Sequence, residues 1–293
     1  MQPIMTTFSI MITTLNRVGE LERTLPRISA LCPAPAEVWV VADGCTDGTV
    51  DYVRKHHPEV RLLVHEKSQG SVASRAEVMG QVGGDLVLAL DDDSYPEQMD
   101  CLARLGALFE KRPKLAIATF PQRTDEYPET LEQEDFGGER LARSFPNSGA
   151  CLRVSTYRQL AGFEPMFFHM YEEPDYALQC VGNGWEILYF PKITIRHHYS
   201  GLARSEMRNH HRHARNELWS TLMRCPFPQA LLLLGYRVLS QARYAVKRGP
   251  AWVMREPIWW WQALRGIPQA LSRRRSVNWA GYKRWLRYGN DET

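Results

Sequence analysis

Apolar and polar positions alternate in blocks along the first 120 residues. "FSIMIT" (8–13), "EVWVVA" (37–42), "VRLLVH" (60–65), "DLVLAL" (85–90) and "LAIATF" (115–120) are short, nearly continuous apolar runs. Between them, apolar residues recur at helical spacing. Leu21, Leu25 and Ile28 mark one helix face, and Leu102, Leu105, Leu108 and Phe109 mark another. The stretch "TDGTVDYVRKHH" opens with capping residues and continues as a helix, and 72–82 reads as a helix as well. Buried strands that are each followed by a helix predict βαβ units: an α/β fold with a mainly parallel sheet flanked by helices.

In such sheets ligands bind beyond the carboxyl ends of the strands, where strand order reverses. Polar residues collect at those ends. Thr13, Thr14, Asn16 and Arg17 follow the first run, Asp43 ends the second, and Asp91, Asp92 and Asp93 follow the fourth. Three adjacent carboxylates repel one another, and burying them is costly unless positive charge answers them. Either they face water or they hold a cation. Asp47 suits turn and cap chemistry, whereas Asp43 suits a turn or a ligand equally. No G-x-G-x-x-G or Walker loop is present, so handling phosphate here needs another source of positive charge. A divalent cation on the aspartates would supply it.

Composition adds a division of the chain. The net charge of +3 is unevenly spread: residues 1–200 carry 19 Lys+Arg against 28 Asp+Glu, and 201–293 carry 17 against 5. Seven of the nine Trp also follow residue 200. The expected boundaries are therefore an α/β domain over 1–203 and a basic, Trp/Arg-rich helical extension over 204–293. The six Cys are widely spaced without a C-x-x-C, which disfavours zinc and a disulfide framework. The N-terminus lacks the basic region of a signal peptide. The longest apolar stretch, "ALLLLGYRVL" from Ala230, is about half of the ~20 residues a spanning helix needs.

Three segments in this order, "SIMITTLNR", "VWVVADGCTDGT" and "LVLALDDDSYP", resemble the family-2 glycosyltransferases of GT-A (Rossmann-like) fold. A fourth, "GFEPMFFHMYEEPDYALQCVGNGWEILYFPKITIRHH" (162–198), resembles that family's region around its second acidic motif. Ala42 and Gln179 depart from the family pattern. The resemblance implies an inverting transfer of a sugar from a UDP, dTDP or GDP donor to a glycan or lipid-linked acceptor. Asp91 and Asp93 would hold Mn²⁺ or Mg²⁺, with His197 as a further contact to metal or diphosphate. Thr13, Asn16, Arg17, Asp43, Arg75, Asp91 and Asp92 would contact the donor. Glu173 would be the catalytic base, with Glu172 as the fallback. Asn147, Ser148, Gly149 and Asp175 would line the sugar and acceptor pocket. Each also has a plainer reading: a solvated acidic turn at 91–93, helix capping at Asp175, a core histidine at 197, a loop at 147–149.

For the tail, "RNHHRHARNELW", "REPIWWWQALRGIPQALSRRR" and "YKRWLRYG" interleave Arg and Trp at helical spacing. Such helices can lie on an anionic membrane, bind nucleic acid, or pack as a cap on the catalytic domain. The membrane surface is favoured, no nucleic acid is expected, and the location implied is cytoplasmic, peripheral at the inner face of the membrane. The "HHRH" run is not expected to be a metal site. A non-catalytic nucleotide-sugar or glycan-binding module is the alternative from another class. It would not need both acidic clusters.

Overall fold

The computed structural model describes residues 6–199 and 205–288. The expected boundary at 203/204 falls outside the described residues. The elements in chain order are β1 (Phe8–Thr14), α1 (Val18–Ser29), β2 (Glu37–Asp43), α2 (Thr49–His56), β3 (Arg61–His65), α3 (Ser71–Gln81), β4 (Leu86–Asp91), β5 (Ser94–Pro96), α4 (Cys101–Lys111), β6 (Leu115–Thr119), β7 (Gln122–Thr124) and β8 (Arg140–Leu141). There follow β9 (Ala150–Arg153), α5 (Val154–Gln159), α6 (Glu172–Gly182), β10 (Glu186–Tyr189), β11 (Ile195–His197), α7 (Glu206–Arg224), α8 (Gln229–Arg248), α9 (Pro250–Val253), α10 (Glu256–Ser272) and α11 (Trp279–Arg287).

The main sheet has the order β3-β2-β1-β4-β9-β6-β10-β8. The first four strands are mutually parallel, as is β6 with β10. β9 enters antiparallel between β4 and β6. The period-2 alternation of a strand sorts its side chains onto two cores. Ile10, Ile12, Leu88 and Leu90 face α1 and α4, while Met11, Val41, Val87 and Ala89 face α3 and α6. Strand order reverses between β1 and β4, which puts Thr13 beside Asp91 in register at their carboxyl ends. A small second sheet, β5-β11-β7, sets His197 opposite Ser94, directly after the aspartates.

The tail is docked on the α/β unit. Arg224 of α7, with no exposed surface, lies between Asp175 (Nη2–Oδ2 3.1 Å) and Glu164 (Nη2–Oε1 2.7 Å). α11 crosses α6 so closely that a Cβ on Gly281 would lie 2.3 Å from the Gly182 carbonyl oxygen. Trp219, Trp259 and Trp285 are buried and donate their indole N–H to Ala263 O, Glu256 and Arg143 O, whereas Trp260 and Trp261 face outward. The cap reading of the tail thus describes its inner face. No helix among the described residues is long and apolar enough to cross a membrane.

Candidate active site

The three aspartates stand at the end of β4 and divide between two arginines. Asp91, a third exposed, receives Arg75 Nη2 at 2.5 Å. Asp92 is buried against Arg17 Nη1 at 2.8 Å, and Asp93 against Arg17 Nη2 at 2.7 Å. Asp93 Oδ1 also faces His197 Nε2 at 3.3 Å. Their surroundings act in opposite directions on Asp92 and Asp93. Burial dominates at Asp92 and pushes it up to about 7 despite Arg17. At Asp93, burial is outweighed by the His197 hydrogen bond and by Arg17, so the group sits below the usual carboxylate range.

Asp91, Asp93 and His197 each offer one ligand atom, and these atoms lie within 4.8 Å of one another. Two carboxylates and one imidazole are donors that Mn²⁺ and Mg²⁺ accept, and the concentrated negative charge suits a dication. The residues present therefore fit the implied ion.

The second acidic cluster opens α6. Its approach is unusual: Phe168, Met170 and Tyr171 have φ of 65°, 75° and 73°. A left-handed backbone at bulky residues costs of order 1–3 kcal/mol each and needs outside support. Asn216 of α7, fully buried, supplies it by donating its amide to the carbonyls of Phe167 (3.1 Å), His169 (3.0 Å) and Met170 (2.8 Å). Arg215 adds a bond to Phe167 O at 3.0 Å. α6 then starts with Glu172 and Glu173 at the sheet's carboxyl end. Glu172 is buried and takes Arg75 Nη1 at 3.1 Å and Asn147 Nδ2 at 3.3 Å. Its Oε2 is buried without a hydrogen-bond partner. Glu173, half-buried, accepts from the Asn147 backbone N–H at 3.4 Å. Burial, then the charge of Glu172, pushes Glu173 up to about 8. Burial is likewise the main cause of the upward shift at Glu172.

Arg75 is the joint between the clusters, because one buried guanidinium holds Asp91 and Glu172 at once. Asn147 closes the arrangement from the segment before β9. Ser148 accepts from Gln122 Nε2 at 2.7 Å, and Gly149 is pressed against Ile195, where a Cβ would meet Cγ1 at 2.5 Å. Gln122 also contacts His197 Nδ1 at 3.2 Å. Thr13, Arg17, Arg75, Asp91–Asp93, Asn147, Glu172, Glu173 and His197 thus gather at the switch point between β1 and β4.

Three expected contacts are spent elsewhere. Asp175, placed in the acceptor pocket by the sequence, instead turns toward α7 and is buried among Ser220 (2.7 Å), Gln179 (2.8 Å) and Arg224. Helical spacing explains the correction: Asp175 lies two residues after Glu173 and faces another side of α6. Asp43 also turns inward. Its carboxylate accepts from Ser68 Oγ, the Gln69 and Gly70 N–H groups and His65 at 2.7–2.9 Å, ordering the loop before α3. Asn16, at φ 55°, uses its Oδ1 on the Thr46 N–H at 2.6 Å. Sequence reasoning missed Asn216, Arg215 and Arg224, whose partners lie more than 40 residues away.

A family model described as "Glycosyl transferase family 2" matches residues 9–172. The N-acetylglucosaminyl-diphospho-decaprenol L-rhamnosyltransferase of Mycobacterium tuberculosis (strain CDC 1551 / Oshkosh) is 24% identical over 230 residues, 64% of this chain and 75% of that protein. Among solved structures, GalNAc-T7 with UDP, GalNAc and Mn²⁺ superposes at TM-score 0.61 with 13% identity. The match covers 77% of this chain and 49% of that one, so the chain spans about half its length. A mannosyltransferase from Pyrobaculum calidifontis in complex with GDP-Man and Mn²⁺ superposes at TM-score 0.58 with 15% identity, covering 99% of this chain and 89% of the other. These likenesses show the same GT-A fold.

Proposed function

The chain belongs to glycosyltransferase family 2, and from that premise we propose that it transfers a sugar, with inversion, from a nucleoside-diphosphate donor to a hydroxyl of a glycan or lipid-linked acceptor. The observation that carries this reading is the Arg75 bridge. It ties Asp91, one of the metal-capable aspartates, to Glu172, the buried member of the glutamate pair. Inverting transfer needs both acid clusters, on opposite sides of the anomeric carbon. The acceptor oxygen bonds to that carbon while a glutamate takes its proton. The bond to the diphosphate breaks, and the diphosphate leaves with the electron pair. Asp91, Asp93 and His197 would hold Mn²⁺ or Mg²⁺, with the imidazole favouring Mn²⁺. The ion would neutralise charge on the departing diphosphate. Arg75 keeps Glu172 and Asp91 in place, and Asn147 steadies both glutamates. The names of the relatives support UDP or GDP donors and an acceptor on a lipid diphosphate.

A thermal-shift screen of UDP-, GDP- and dTDP-sugars with Mn²⁺ tests the donor half. One nucleotide should stand out, since a ligand at 100 times its Kd adds about 2.7 kcal/mol to the folded state. EDTA should remove that shift. A chain that no donor stabilises would contradict the reading.

The proposed location is cytoplasmic, on an anionic membrane surface through the tail. In support, α8 exposes Leu232 (77%), Tyr236, Leu239 and Val246 along one side, beside Arg243 and Lys247. Such positively charged helices gain about 1 kcal/mol per Lys or Arg near an anionic leaflet. The protein is expected to sediment with vesicles containing phosphatidylglycerol and to be released by 1 M salt. Equal binding to neutral vesicles would refute the electrostatic part.

A further inference from the structure

Beside the acid clusters lies a cavity of about 510 Å³, between the 166–168 segment, the N-terminal half of α7 and α10. Arg208, His211, Arg212 and Arg215 enter it from α7, Arg255 enters from just before α10, and Phe168 forms a wall. No carboxylate lines it. Most guanidiniums near the site have one: Arg17, Arg75, Arg123, Arg196 and Arg224 are all in ion pairs. Arg208, Arg212, Arg215 and Arg255 have no carboxylate partner among the described residues. Arg212 lies over the Phe168 ring at 4.8 Å, and Arg255 Nη1 has only Met207 Sδ at 3.5 Å. The charges press on one another. Burial and then Arg212 bring Arg215 down to about 10, and burial and then Arg208 lower Arg212. Uncompensated positive charge in a concavity concentrates anions, and the guanidinium fork matches phosphate oxygens.

We propose that this cavity binds the phosphate or diphosphate group of the acceptor, with the attached apolar chain leaving across α10; the word acceptor rests on the glycosyl-transfer reading. Two placements support it. Phe168, the cavity wall, is four residues before Glu172, and its carbonyl accepts from the Val72 N–H on α3, the helix that carries Arg75. The cavity wall is thereby tied both to the start of α6, which carries Glu172 and Glu173, and to the helix that carries Arg75. The exit is apolar. Ile258 lines the cavity and is half exposed; Trp261 (62% exposed) lies one turn further along α10, and Met254 (80%) lies in the turn just before that helix.

Calorimetric titration of the full chain tests this in EDTA, where a metal-held diphosphate at the aspartates does not contribute. Inorganic pyrophosphate should bind the wild type. The Arg208→Gln/Arg212→Gln double variant should bind it at least tenfold more weakly, and Asp93→Asn should bind it unchanged. Farnesyl diphosphate should bind more tightly than pyrophosphate, and Met254→Ser/Trp261→Ser should erase that difference. Absence of pyrophosphate binding, or equal affinity in the arginine double variant, overturns the anion site. Equal affinity for both probes overturns the lipid source in favour of a free phosphate compound. A thermal melt without ligand reports that all the variants are folded, and the donor-induced shift with Mn²⁺ is measured on the arginine and Met254/Trp261 variants only. That shift tests the glycosyl-transfer reading independently, so either can fail without the other.

Discussion

Asp93→Asn is expected to abolish metal-dependent donor binding and to lower kcat/KM by roughly 10²-fold or more, because a catalytic cation supplies several kcal/mol of transition-state charge stabilisation. The substitution keeps the shape of the side chain and its hydrogen bond to Arg17, and removes only the charge. That charge is present at neutral pH, since His197 and Arg17 hold the carboxyl below its usual range against the effect of burial. Breaking a buried ion pair ordinarily costs ~3–5 kcal/mol. The cost here should be smaller, because Arg17 keeps Asp92 at 2.8 Å and is itself 28% exposed. The fold should therefore survive, which a thermal melt without ligand checks. Asp92→Asn is the matched control: it shares Arg17 but is not among the three metal-capable residues. Its effect should be clearly milder. Full activity of Asp93→Asn, or wild-type turnover undiminished by EDTA, would remove the cation from the mechanism.

The legible and illegible parts of this chain separate by the range of the interactions behind them. β1 to β4 and their helices follow from local pattern, and the boundaries of the four strands and of α3 fall within a residue of the expected ones. The switch point was legible for the same reason, since Thr13 and Asp91 simply end apolar runs. β9 was not. Its four residues carry no alternation, because they are buried between β4 and β6, and nothing local marks them as antiparallel. β5 and β7 of the small sheet were equally silent, although they flank the strand that delivers His197 to Asp93. Asp43 and Asn16 show that a residue can stand at a strand end and still use its side chain to order the neighbouring loops. The tail was read by composition, which reports charge but not which face is turned inward. Hence its basic character was plain, while its grip on the site through Asn216 and Arg224 was not.

Glu173→Gln is expected to lower kcat by ~10²–10⁴-fold, about 3–5 kcal/mol of barrier, with little change in donor affinity. A base acts on the acceptor proton only in the transition state, so its loss appears in kcat rather than in donor binding. The structure offers two glutamates, and their surroundings differ. Glu172 is buried, and one of its oxygens is shared between Arg75 and Asn147, which suits a positioning residue. Glu173 is half-buried, accepts from the Asn147 backbone N–H, and is pushed up to about 8 by burial and by Glu172. A base must be ionised to accept a proton, so wild-type kcat should fall as pH drops below about 8, and Glu173→Gln should lose that limb of the profile. Stability gives a second readout. A carboxyl whose pKa is raised on folding favours the folded state while protonated, and this advantage disappears as pH rises from its unfolded value of about 4.5 to about 8. The wild type should thus lose Tm across that window more steeply than Glu173→Gln, which melts higher at pH 8 while turning over slowly. Asp175→Asn provides the contrast: it weakens the buried pair with Arg224, so it should lower Tm and leave the pH–rate profile in place. Near-normal kcat in Glu173→Gln together with an inactive Glu172→Gln would move the base to the preceding residue. Activity in both would leave the cluster purely structural.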